Sequence, residues 1–174
     1  SGTLGNPNTL EGLALKLTLE SEDIKSLLPR SAVNAEPVPL SFSSTLVARA
    51  GREIALDDLR GRSGEARVDG KITLAVGGGA SGASAKLNAS GQSLAALLSP
   101  WLEEPQLEGA YDLDIAARWE PPVLRIEQLD GRVDDNHLDS DFVLRQEERG
   151  TALQGRLQLT GKRAHRLLQE LGYA

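Results

Sequence analysis

Histidine and cysteine, two side chains often used for catalysis and metal binding, are scarce in this sequence. There are two histidines, His137 and His165, and no cysteine, which excludes disulfides, thiolate metal ligands and cysteine nucleophiles. Arg67 stands 70 positions before His137, and Ala95 stands 70 positions before His165, in otherwise similar sequence. Neither position therefore demands an imidazole. We interpret both histidines as solvated surface residues and expect no enzymatic activity and no cofactor.

Asp134, Asp135, Asp139 and Asp141 form a carboxylate-rich segment of the kind that can bind calcium. The segment lacks the spaced oxygen ligands and the closing glutamate of an EF-hand loop. Asp139 and Asp141 instead alternate with less polar residues, which is typical of the wetted face of a strand. We favour a charged, solvent-facing strand over a calcium site, and no metal is predicted.

The glycine run at 77–79 resembles the start of a phosphate-binding loop. The lysine and the hydroxyl side chain of a P-loop do not follow it, and it leads into a predicted strand rather than a helix. The run is therefore interpreted as a flexible hairpin connection.

The charge pattern argues against a nucleic-acid partner. The formal net charge is −6, and the acidic and basic residues are interleaved rather than collected into a basic stripe.

No stretch reaches the ~18 consecutive apolar residues that a membrane-spanning helix needs. The opening residues Ser1 to Thr3 look like a cloning scar or a cut inside a longer protein, so any signal or membrane anchor is expected upstream.

A sequence repeat of about 70 residues organises the chain. Leu17, Leu87 and Leu157 lie 70 positions apart, and each follows a cation. Pairs of adjacent leucines keep the same spacing at 27–28, 97–98 and 167–168. We therefore divide one continuous β domain into three segments: residues 3–30 as the end of one unit, and residues 31–100 and 101–174 as two complete units.

Each unit is predicted to contain four antiparallel strands and one short helix. Apolar and polar residues alternate with period two, as in the segment from Tyr111 to Ala117, which predicts strands with one apolar and one wetted face. Turns are expected at Glu120–Pro122 and around Gly61 and Gly131. Apolar residues at helical spacing, such as Leu94, then predict a short helix after the last strand.

These segments resemble the AsmA-like superfamily. The resemblance rests on the pattern Leu-x-Leu-x-Gly followed by a leucine pair at 157–168, and on the segments 54–64 and 68–72. It implies a mainly β fold with short helices, in which the antiparallel sheet curls into a β-groove with an apolar interior. It also implies a Gram-negative periplasmic location, an N-terminal inner-membrane anchor, and a part in outer-membrane homeostasis and phospholipid transport between the membranes.

The resemblance implies that the apolar strand faces shield phospholipid or another acyl lipid. The residues expected to face lipid are Leu13, Leu15, Leu17, Leu19, Ile72, Leu74, Val76, Leu87, Leu113, Ile115, Phe142, Leu144, Leu157 and Leu159. Two alternatives stay open. The same faces can form an ordinary core beneath the helices, and the chain can act as a scaffold that binds an outer-membrane or periplasmic protein through an exposed sheet edge.

Overall fold

The computed structural model describes residues 2–3, 12–22, 39–49, 53–75, 82–95, 109–147, 150–162 and 164–165. These residues form ten β-strands. The strands are β1 (Gly2–Thr3), β2 (Ala14–Ser21), β3 (Leu40–Arg49), β4 (Glu53–Ser63), β5 (Ala66–Ala75), β6 (Gly82–Gly91), β7 (Tyr111–Glu120), β8 (Val123–Val133), β9 (Asn136–Glu147) and β10 (Gly150–Gly161).

All ten strands belong to one antiparallel sheet, in which every strand pairs with its neighbours in sequence. The predicted mainly β, antiparallel architecture is confirmed. Helical backbone is found at residues 94–95 and 164–165 within the described ranges. The short helices are predicted at residues 21–28, 92–98 and 162–171. Residues 21–22, 92–93 and 162 are not helical, and the rest of the three segments, beyond these residues and the helical ones, falls outside the described residues.

The sheet is open and uncurled, whereas the resemblance implied a curled one. In the residues that the structure describes, no register joins β10 to β1 or β2. Each hairpin places a strand beside the one before it, so the sheet widens in one direction and keeps two separate edges. The nine strands from β2 to β10 extend over about 38 Å at the usual inter-strand spacing.

Tight turns differ in part from the sequence prediction. The turn expected at Pro121–Pro122 is present, but Gly61 and Gly131 lie inside β4 and β8. The chain reverses instead just after these strands, at residues 64–65 and 134–135. Gly64 and Asp134 open these turns with φ angles of 58° and 54°. Positive φ is the feature of primed hairpin turns, whose twist matches that of the flanking strands.

Irregular pairing in β4 and β8 changes the period-two pattern at one point in each strand. Against β5, the register of β4 shifts between Leu56 and Leu59. Against β9, the register of β8 shifts between Ile126 and Leu129. A bulge adds a residue to one strand only, so apolar residues three positions apart still point to the same side.

A cluster of buried residues lies at one end of the sheet, on one face of β6 to β8. It consists of Ala89, Tyr111, Leu113 and Val133, and Ala48, Ala55 and Leu59 are buried outside it. Leu94, at the start of the helical turn, packs against this cluster, and its N–H donates to the Gly109 carbonyl at 3.0 Å. The turn thus covers part of the face.

Candidate functional site

The strand registers assign each paired residue to one of the two faces of the sheet. Residues directly opposite each other on antiparallel strands point to the same side, and successive residues of a strand point to opposite sides. One row of paired residues crosses nine strands from β2 to β10. It consists of Leu15, Leu46, Leu56, Ile72, Ala85, Ala117, Ile126, Phe142 and Gly155.

A second row runs parallel to the first, nearer the buried cluster. It consists of Leu19, Phe42, Gly61, Val68, Ala89, Leu113, Gly131, Leu138 and Leu159. We call the side that carries these two rows the uncharged face, because no residue that the registers assign to it is an aspartate, glutamate, lysine, arginine or histidine. The opposite side is called the charged face.

The registers bring the residues predicted to face lipid together on the uncharged face. Those placed by direct pairing are Leu15, Leu17, Leu19, Ile72, Leu74, Leu87, Leu113, Ile115, Phe142, Leu144, Leu157 and Leu159. Leu13 precedes β2, and its carbonyl accepts a hydrogen bond from the Ala48 N–H at 3.0 Å. Leu13 is two residues before Leu15, and residues two apart in an extended segment point to the same side of a sheet. Val76 lies outside the described residues.

Large apolar side chains remain exposed on this face. The exposed fractions are 37% for Leu15, 43% for Leu19, 37% for Leu74, 47% for Trp119, 63% for Leu153 and 41% for Leu157. All six belong to the uncharged face by register. Leu74, Trp119 and Leu153 lie at the end of the sheet opposite the Tyr111 cluster. Covering exposed apolar surface of this kind with other apolar groups lowers the free energy of the system.

Sequence reasoning missed several members of the uncharged face. Serines interrupt the apolar positions of β3, which concealed Phe42 and Leu46. The bulge in β8 breaks the alternation that would have indicated Ile126. Trp119 and Leu153 extend the alternation of β7 and β10 toward their ends, so a longer window would have found them.

Ion pairs cross the charged face between neighbouring strands. Arg49 contacts Glu53 at 3.0 Å and Asp57 at 2.6 Å, and the hydrogen bond with Glu53 raises the pKa of the Arg49 guanidinium. Arg118 lies 3.3 Å from Glu127 on the adjoining strand. Water reaches these side chains and screens the attraction, so such pairs contribute little to stability. Their main effect is to make this side of the sheet hydrophilic.

Of the aspartates and histidines considered for chemistry, Asp139, Asp141 and His137 lie on the charged face by register, and Asp134 and Asp135 form the turn between β8 and β9. Asp139 and Asp141 are on the charged face of β9, as predicted, where Arg156 approaches their carboxylates at 3.5 and 3.1 Å. His137 Nε2 lies 3.4 Å from Asp130 Oδ2. Within the described ranges, no three histidine, cysteine or carboxylate side chains are arranged to hold a metal ion.

Comparison with protein-family models, curated proteins and solved structures finds no match to this chain. In the part of the chain that the structure describes, no helix has the length and apolar character needed to cross a membrane.

Proposed function

We propose that this chain is a non-catalytic segment of an AsmA-like periplasmic protein that shields lipid acyl chains on the uncharged face. In this proposal the parent protein is anchored in the inner membrane and contributes to phospholipid transport toward the outer membrane and to outer-membrane homeostasis. The observation that supports it is that, among the described residues, none that the registers assign to this face of the sheet is charged, over about 38 Å.

The composition of the uncharged face favours acyl chains over a specific protein partner. Protein interfaces usually depend on a few aromatic or arginine anchors seated in pockets. The registers place four aromatic residues on this face, Phe42, Tyr111, Trp119 and Phe142, and these are spread over three strands among small and branched aliphatic side chains. Acyl chains need no directional contacts, and each Å² of apolar area removed from water is worth roughly 25 cal/mol. A continuous apolar face without a cluster of anchors therefore suits lipid.

The position of the irregular features supports a structural repeat of 70 residues. The bulge between Leu56 and Leu59 has its counterpart between Ile126 and Leu129, and both lie 70 positions apart. The turns that open at Gly64 and Asp134 show the same offset and nearly the same φ. In this proposal, further units extend the uncharged face, and twist accumulated over more strands curls the sheet into a groove.

Photo-crosslinking tests the proposal with a control on each strand. A photoreactive amino acid replaces Leu74 or Leu157 on the uncharged face, and Thr73 or Gln158 on the charged face. After incubation with radiolabelled phospholipid in detergent, the first pair is expected to form lipid adducts and the second pair is not. Absence of adducts at Leu74 and Leu157, or equal labelling of all four positions, would reject a lipid-shielding face.

A scaffold that binds an outer-membrane protein is the second candidate, and the edge strand β10 favours it. β10 spans Gly150–Gly161, and within the described residues it pairs only with β9. Edge strands recruit strands from partners. Hydrogen exchange separates the candidates, because a strand partner protects the β10 amides whereas lipid covers side chains. Protection of β10 by outer-membrane extract, without lipid adducts at Leu74, would favour the scaffold.

A further inference from the structure

Three arginines meet on the charged face of β4 and β5. Arg62 lies directly opposite Arg67, and Arg60 lies directly opposite Asp69. The side chains of directly paired residues start about 5 Å apart. The three exposed guanidinium groups therefore share one small area of the charged face.

The arginines border a surface depression of about 600 Å³ that β2 and β3 complete. Thr18, Ser41 and Ser43 contribute hydroxyl groups to its lining, and Glu20 and Asp69 contribute carboxylates. The depression thus combines guanidinium and hydroxyl donors with two acceptors. Such a donor set matches the oxygens of a phosphate group, which guanidinium binds in a two-pronged, charge-assisted geometry.

None of these three guanidinium groups forms an ion pair or side-chain hydrogen bond in the described part of the chain. Other arginines of the charged face behave differently: Arg49 and Arg156 each contact two carboxylates within 3.5 Å. Like charges directly opposite each other on neighbouring strands lower stability. The Arg62–Arg67 pair therefore has a cost that a bound anion would offset.

The following unit shows that the fold does not require arginine at these positions. Seventy residues later, Asp130, Arg132 and His137 take the places of Arg60, Arg62 and Arg67. There the His137 imidazole lies 3.4 Å from the Asp130 carboxylate, so the groups partner each other. The two units have the same strands and turns, but the three arginines of the first correspond to an aspartate, an arginine and a histidine in the second. The fold therefore does not account for the arginine cluster, which indicates a binding role at this place.

We infer that Arg60, Arg62 and Arg67 form a binding site for a phosphate ester. The guanidinium groups hold the phosphate oxygens, and the Glu20 and Asp69 carboxylates accept from hydroxyl or amine groups of the same ligand. The chemistry is shared by lipid headgroups and by soluble phosphate esters. The inference concerns the charged face and does not depend on lipid binding by the uncharged face.

Titration calorimetry of the folded chain with glycerol 3-phosphate tests this site. The double variant R62Q/R67Q is expected to weaken binding by about tenfold or more, because each lost charge-assisted hydrogen bond is worth roughly that factor. R132Q is the matched control, since Arg132 occupies the position of Arg62 in the next unit, and it is expected to bind as the unsubstituted chain does. Circular dichroism verifies that all three proteins are folded.

A second arm identifies the source of the phosphate. Vesicles of phosphatidylcholine alone are compared with vesicles that contain an equal share of phosphatidylglycerol. If the second kind binds and R62Q/R67Q abolishes that binding, the site recognises a lipid headgroup; if only glycerol 3-phosphate binds, it recognises a soluble ester. No saturable binding of glycerol 3-phosphate to the unsubstituted chain, or equal weakening in R132Q, would overturn the inference.

Discussion

Tyr111 shows how an aromatic side chain is accommodated on a face made mostly of small and aliphatic residues. Its ring lies over Gly91, where an added Cβ would come within 2.9 Å of two ring carbons and the hydroxyl oxygen. Glycine beneath an aromatic cross-strand neighbour leaves room for the ring and is shielded by it. The hydroxyl is buried and has no hydrogen-bond partner among the described residues. The ring therefore supplies the stabilisation and the hydroxyl opposes it.

Replacing Tyr111 by phenylalanine is expected to raise the free energy of unfolding by about 1 kcal/mol, because it removes an unsatisfied buried hydroxyl.

Burial also raises the pKa of Tyr111 above its ordinary value. The unfolded chain then loses this proton at lower pH than the folded chain does. The free energy of unfolding is therefore unaffected by this proton below pH ~10 and falls as pH rises from there through the raised pKa. Urea denaturation on both sides of pH ~10 measures both effects. Unchanged alkaline sensitivity in the variant would contradict the assignment to Tyr111.

Gly131 and Gly61 occupy equivalent positions in β8 and β4 but differ in backbone conformation. Gly131 has a φ of 150°, and an added Cβ would lie 2.1 Å from the Asp112 carbonyl oxygen; at Gly61 the nearest atom is 3.7 Å away. We expect Gly131→Ala to lower the free energy of unfolding by about 2–4 kcal/mol and Gly61→Ala to change it by less than about 1 kcal/mol. Thermal unfolding of both variants provides the measurement. Equal losses would show that crowding does not control these positions.

The strands themselves follow from residue patterns that are visible in the sequence. In β2, β5 and β7 the apolar residues alternate without interruption, and the structure pairs them as an antiparallel sheet with those residues on one side. The sequence does not reveal the bulges of β4 and β8, because a break in alternation also suggests a turn. Gly61 and Gly131 reinforced that wrong prediction, although glycine within a strand also allows neighbouring strands to approach closely.

Three aspartates form a like-charge row across β7, β8 and β9 on the charged face. Asp114 lies directly opposite Asp130, which lies directly opposite Asp139. Directly opposed like charges destabilise a sheet. In a His137→Gln background, which removes the imidazole that lies 3.4 Å from Asp130, Asp130→Asn is expected to raise the free energy of unfolding by about 0.5 kcal/mol at low salt. The gain is expected to shrink at high salt as screening weakens the repulsion.

Asp112→Asn is the matched control for the aspartate row, because Asp112 lies opposite Arg132 and its removal deletes an attraction. This variant is expected to lose a few tenths of a kcal/mol at low salt. Urea denaturation at two ionic strengths measures the free energy of unfolding and distinguishes the gain expected for Asp130→Asn from the loss expected for Asp112→Asn. If both variants changed stability in the same direction, net charge rather than strand register would control the result.

At the scale of the whole molecule, the sheet separates apolar and charged surface into two sides of a single layer. A single-layer sheet cannot bury both faces by itself, and the Tyr111 cluster with Leu94 covers only one end of the uncharged face. This division was predictable from period-two alternation alone. The open, uncurled shape of the sheet was not predictable, because curling depends on accumulated twist and on what lies against the face, and neither is encoded in local spacing.

The fluorescence emission of Trp119 depends on what covers the uncharged face around it. It is 47% exposed, near the end of β7, and the other tryptophan, Trp101, lies outside the described residues. In a Trp101→Phe background, lysophosphatidylcholine micelles are expected to shift the Trp119 emission to shorter wavelength, because acyl chains replace water around the indole. The control places the reporter on the charged face through R118W combined with Trp119→Phe, and its emission is expected to stay unchanged. A shift in the control, or none at Trp119, would show that lipid does not select the uncharged face.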